Sequence, residues 1–191
     1  MTITLTDGGI ETRIIYEFKH PIGDFESFEL LEDESGRNIL GQIYQSYADV
    51  AVRYGLPIQL GTPTWRASRK WTSAVMRVNA EAVELLREVA HRAAGTRIIL
   101  AGVIGPASDG YAAREALKED DAFAYHCEQA ASPLSPDELD KLDHLAATDY
   151  QTWARDEIAC AREFDLTILG GCCGTDQRFI EALAKEARVF P

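Results

Sequence analysis

Apolar residues recur along this chain in two alternating rhythms. Four short, nearly continuous apolar runs, at 3–7, 56–60, 97–104 and 166–169, read as buried strands. Between them the apolar positions fall three or four apart. Positions 39, 40, 43, 47, 50 and 51 predict a helix over 39–54, stopped by Gly55. The same spacing predicts helices over 79–94, stopped by Gly95, over 114–130 and over 152–164. Ser135-Pro136-Asp137-Glu138 reads as a further helix start, with serine as cap and proline at the first helical position. An amphipathic stretch follows the last strand at 179–184. Segments 21–37, 62–72 and 105–111 read as loops; the first is acidic and carries Pro21, Gly23 and Gly36. Strands alternating with helices predict an α/β protein with a parallel sheet, and the unbroken apolar run at 97–104 suits a sheet covered on both faces.

Composition narrows this picture. The 191 residues are 46% hydrophobic and 26% charged, which fits a single domain over 1–191 with enough apolar material for a core. The net charge of −12 argues against a nucleic-acid surface or an anionic membrane as partner. No run approaches the roughly 18 apolar residues of a membrane span. Met1-Thr2-Ile3-Thr4-Leu5-Thr6-Asp7 lacks the basic and then apolar regions of a secretion signal, so a cytoplasmic location is expected. Cysteines 127, 160, 172 and 173 do not form a disulfide framework for a chain of this size.

The chemistry concentrates in Gly170-Gly171-Cys172-Cys173-Gly174-Thr175, between the last strand and the last helix. Adjacent cysteines bond to each other only with strain. In an acidic chain without a secretion signal they read as metal ligands or reactive thiols. A thiol redox role is the weaker of the two, because its usual spacing is Cys-x-x-Cys.

This hexapeptide resembles the signature of the homocysteine S-methyltransferase family, the zinc-dependent, betaine–homocysteine methyltransferase-like (β/α)8 barrels. Leu5-Thr6-Asp7-Gly8-Gly9-Ile10-Glu11-Thr12 resembles the family's first-strand motif. Gly61-Thr62-Pro63-Thr64-Trp65-Arg66-Ala67-Ser68 resembles the loop after its second strand, and Ala101-Gly102-Val103-Ile104-Gly105-Pro106 its third strand and loop. The stretch from Ser135 to Thr175 resembles the family's C-terminal part. The resemblance implies zinc held by Cys172, Cys173 and a third cysteine from the sixth strand. It implies homocysteine bound to zinc as a thiolate, with Asp7, Gly8 and Gly9 holding its amino and carboxylate groups. The thiolate would attack a methyl donor of sulfonium, betaine or cobalamin type and give methionine.

A complete barrel needs roughly 250 residues. The four strand candidates match the family's first, second, third and eighth. The expected fold is therefore a partial (β/α)8 TIM barrel with strand order 8-1-2-3, and the expected deletion lies near 130–132. The family's third cysteine and its fourth-strand glutamate fall in the missing part. Two readings stay open: a homocysteine S-methyltransferase-like enzyme, or a catalytically impaired half-barrel remnant or interaction module. In either, the open sheet edges would pair two copies into a homodimer.

Several residues keep two readings each. His126, Cys127 and Cys160 are candidates by type to replace the third ligand; the first two lie on a predicted helix, where His126 is otherwise a surface or satisfied helix residue. Cys160 is expected to face the core as a small hydrophobe. Glu11 either reaches the pocket or is solvated. Trp65 and Arg66 either line the donor side or, for Trp65, pack on a neighbouring helix. Phe179 stands where the family usually has histidine.

Overall fold

A computed structural model describes residues 3–67, 73–105 and 149–188. Along the chain run β1 (Thr4–Thr6), α1 (Glu11–Tyr16), a 3₁₀ helix (Ser27–Glu32), α2 (Glu34–Tyr54), β2 (Ile58–Gly61), α3 (Val75–Arg92) and β3 (Ile98–Ala101). After the second gap come α4 (Tyr150–Phe164), β4 (Ile168–Leu169) and α5 (Gln177–Arg188). The four strands form one parallel sheet in the order β3-β2-β1-β4. That is the expected 8-1-2-3 arrangement of a partial barrel. The first and last strands lie side by side, with Thr4 opposite Ile168 and Leu5 opposite Leu169.

Side-chain alternation sorts the strands into two faces. Leu5, Ile58, Leu60 and Leu169 point to the helical layer and are buried. Thr4, Thr6, Gln59 and Gly61 point the other way, toward the concave side, and are only half-buried. The helical layer repeats the strand order: α4 packs on α5, α5 on α2, and α2 on α3.

Helix α2 anchors this layer. Asp33 caps its start, its carboxylate accepting from the Gly36 amide at 2.8 Å. Gly55 ends it in the left-handed conformation at φ 64. Leu40, Ile43, Tyr44, Tyr47, Ala48 and Ala51 keep helical spacing and are fully buried against β1 and β2. Helix α3 buries Val78, Ala82, Leu85, Leu86 and Val89 in the same way.

The structure corrects the sequence reading at several points. The segment expected as an acidic loop holds the 3₁₀ helix, and α2 begins at Glu34 rather than at position 39. Its apolar residues Phe28, Leu30 and Leu31 are buried, so local packing overrides the polar and glycine signals around them. Helix α1 was not expected; six residues are too few for a periodic signal. Cys160 is exposed on α4, not turned to the core; Ala154, Ile158 and Ala161 form the buried stripe. His126, Cys127 and the expected junction near 130–132 lie outside the described residues.

Candidate active site

Asp7, Gly8, Gly9, Cys172 and Cys173 meet at the C-terminal ends of β1 and β4, beside the end of β2; Cys160 does not join them. The Asp7 carboxylate accepts from the Gly61 amide at 2.7 Å, tying the end of β1 to the end of β2. The turn that carries the two cysteines is tied to β1 as well. The Gly9 amide donates to the Thr175 carbonyl at 2.8 Å and lies 3.2 Å from its hydroxyl oxygen. The Gly171 amide donates to the Asp7 carbonyl at 3.3 Å. Within the turn, the Thr175 hydroxyl and amide both donate to the Cys172 carbonyl, at 2.6 and 3.0 Å. A side chain on Gly9 would come within 2.8 Å of that same carbonyl, so only glycine permits the approach of the two loops.

Two buried tyrosines of α2 hold these loops from behind. Tyr47 donates its hydroxyl to the carbonyls of Gly9 and Thr175, at 3.2 and 3.3 Å. Tyr44 donates to the Gly61 carbonyl at 2.7 Å. The β2 and β3 loops are joined by a threonine network: Thr64 donates to the Val103 carbonyl at 2.7 Å, and the Val103 amide donates to the Thr62 hydroxyl at 2.8 Å.

The thiols of Cys172 and Cys173 lie 3.9 Å apart and are exposed. The hydrogen bond between the two thiols lowers Cys172 to about 6, against the opposing effect of burial, and raises its partner. Burial pushes the Asp7 carboxyl up to about 7, and the charges of Glu11 and Cys172 push it the same way. Burial also raises Glu11, against hydrogen bonds from Ser27 and Trp65. Two carboxylates and a thiolate thus share one neighbourhood, an arrangement that favours a cationic group among them.

A tetrahedral zinc ion with sulfur bonds of about 2.3 Å sets its ligand sulfurs about 3.8 Å apart. The observed separation of 3.9 Å fits two corners of that tetrahedron and excludes a disulfide. Among the described residues no group of three His, Cys, Asp or Glu is placed to hold a metal ion.

Gly8 and Gly9 sit where the sequence placed them, but the Gly9 amide is taken by Thr175. Glu11, read as either solvated or in the pocket, is half-buried, and its carboxylate accepts from Ser27 at 2.6 Å. Arg66 is buried and stacks its guanidinium over the Trp65 ring at 4.6 Å, so one face of that ring is covered by the chain itself. Phe179 packs edge-on against Tyr150 and Trp153, at 6.0 and 5.6 Å between ring centres. Sequence reasoning missed Tyr44 and Tyr47, and it named Thr175 only as the end of the signature hexapeptide, without its bonds to Gly9 and Cys172. The signal available was a pair of tyrosines, three apart, on the apolar face of α2.

Comparison with known proteins agrees with the geometry. Residues 4–142 match the model of the homocysteine S-methyltransferase family. The match ends before α4 and the double-cysteine turn. Among solved structures the chain is similar to the metallated form of the homocysteine methyltransferase MmuM from Escherichia coli. The identity is 14%, the TM-score 0.65, and the likeness covers 97% of this chain and 96% of that one, which establishes a shared fold. No curated protein matches the chain.

Proposed function

Because the chain belongs to the homocysteine S-methyltransferase family, we propose that it transfers a methyl group to the sulfur of homocysteine, giving methionine. The observation that carries this reading is the meeting of Cys172, Cys173 and Asp7 at one mouth of the sheet, with the two thiols 3.9 Å apart. Cys172 and Cys173 would hold zinc, which keeps a bound substrate thiol ionised near neutral pH. Asp7 would take the substrate's ammonium, and the backbone of Gly8 and Gly9 would lie beside its carboxylate. The Tyr44 and Tyr47 hydroxyls fix the loops so that these groups keep their places. The donor would be of sulfonium or betaine type. Zinc content of the reduced protein, with and without Cys172→Ser and Cys173→Ser, tests the metal site. Methylation of homocysteine by S-methylmethionine or glycine betaine tests the reaction. Near one zinc per chain, lost in the variant, together with methionine formation supports the reading; zinc-free protein with no turnover defeats it.

A second reading, a non-catalytic half-barrel that pairs with another copy, is favoured by one observation. The large hydrophobics exposed among the described residues, Tyr150, Phe164, Leu166 and Ile168, all lie on α4 and on or just before the edge strand β4. Sedimentation at micromolar concentration tests it, a monomer being the outcome that removes it. Among the described residues no helix is long and apolar enough to cross a membrane.

A further inference from the structure

We propose that Glu11 is a second anchor for the substrate's ammonium group, beside Asp7, so that this chain grips an α-amino thiol with two carboxylates borne by β1 and the helix that follows it. The inference rests on the methyl-transfer reading and adds a specificity residue to it.

Placement comes first. Glu11 opens α1, four residues beyond the Asp7 that ends β1. Asp7 accepts from the Gly61 amide, and the Ser27 hydroxyl that holds Glu11 lies against Pro63, so both carboxylates adjoin the segment that ends β2; the next residue, Thr12, accepts from the Gly174 amide at 3.4 Å, which sets the start of α1 against the double-cysteine turn.

Orientation comes second. Ser27, at the start of the 3₁₀ helix, donates to Glu11 Oε1 at 2.6 Å, and the same hydroxyl lies 3.4 Å from the Pro63 carbonyl in the loop after β2. Trp65 and the residue's own backbone also donate to the carboxylate. A carboxylate offers about four lone-pair positions. Three donors orient the group and leave room for one more.

Charge comes third. Asp7 is raised first by burial, and the charges of Glu11 and Cys172 push it the same way. An ammonium offers three donors and no acceptor, so it satisfies two carboxylates at once and neutralises their mutual repulsion. A thiol that lacks the amino group gains nothing from either acid. Discrimination of this kind is large, because the unmatched carboxylates would stay unpaired in a partly buried site.

The test is calorimetric and does not depend on turnover. L-Homocysteine and 4-mercaptobutyrate, its analogue without the amino group, are titrated into zinc-supplied protein. The wild type should prefer homocysteine by about a hundredfold. Glu11→Gln should cut that preference about tenfold, leaving the affinity for 4-mercaptobutyrate and the thermal midpoint nearly unchanged. Glu11→Asp should restore part of it. An unchanged preference in folded Glu11→Gln overturns the proposal. If that variant does not fold, Ser27→Ala, which releases one donor from Glu11, should lower the preference by a smaller factor, and no change there overturns it equally. Wild-type protein that binds neither thiol overturns the methyl-transfer reading, and this inference falls with it. Binding of both thiols with a preference insensitive to Glu11 overturns the inference alone.

Discussion

The centre of the sheet and its flanks are built to different standards. At the centre, β1 and β2 lie on α2, and Leu5, Ile58, Leu60, Tyr44 and Tyr47 are fully withdrawn from water. At the flanks, every residue of β3 is half-buried, and Ile168 of β4 is 55% exposed. The helix-facing side of the sheet is a finished core. The concave side, which a complete barrel fills with layers of side chains from all eight strands, is not finished by the four strands described. The lesson is that half a barrel keeps its stability on the outside of the sheet, while the chemistry sits on the rim where that outside core holds the loops in place.

The sharpest way to break this comparison is to cut equivalent apolar groups in both regions. Leu5→Ala should cost about 3 kcal/mol in urea unfolding, the ordinary cost of a cavity in a packed core, whereas Ile168→Ala should stay within about 0.5 kcal/mol. Equal losses would mean that the concave face is as well packed as the other.

A smaller effect sharpens the point at the rim. The folded state holds a proton on Asp7 up to about pH 7, far above the unfolded value. Stability from this group is fully present below about pH 4 and is lost as pH rises to about 7, because the folded state binds the extra proton. Wild-type metal-free protein should therefore lose stability steadily between pH 4 and pH 7, and Asp7→Asn should flatten that slope. Thermal melts across pH check it.

Smaller again, Tyr47→Phe leaves the Gly9 carbonyl without its α2 donor and should cost about 1 kcal/mol, with weaker zinc retention than its stability loss alone explains. Last, Cys173→Ala should leave stability nearly unchanged. It should move the midpoint of Cys172 alkylation by iodoacetamide from near pH 6 toward the ordinary thiol range of about 8.5, since the neighbouring thiol is what lowers it. An unmoved midpoint would show that the thiol's environment, rather than its partner, sets its acidity.

Much of this was legible in the sequence, for physical reasons that can be named. The buried strands announced themselves as short apolar runs, and the long helices as three-and-four spacing closed by Gly55 and Gly95. The strand order followed from matching motifs to a known barrel. The Asp7 and Cys172-Cys173 turns were legible because chemistry at a sharp bend demands glycine beside the reactive group. What stayed hidden depends on contacts between distant segments. Glu11 had no local feature to separate a pocket residue from a solvated one; its bond to Ser27, sixteen positions away, is a contact that no local pattern announces. Cys160 was misplaced because a cysteine on an amphipathic helix falls on either face, and one step along α4 reverses the answer. Tyr47 counted only as an apolar helix position and Tyr44 went unmarked, yet their hydroxyls do the joining.

The neighbourliness of the first and last strands also sets the order of events in folding. The amide of Gly9 and the hydroxyl of Thr175 are separated by 166 positions. Contacts so remote in sequence are slow to find, since chain entropy must be spent before any bond repays it. During synthesis, β1, α2 and β2 can collapse on one another long before Cys172 leaves the ribosome. The thiol pair is thus housed late, together with Thr175 and α5, against strands and a helix that are already standing.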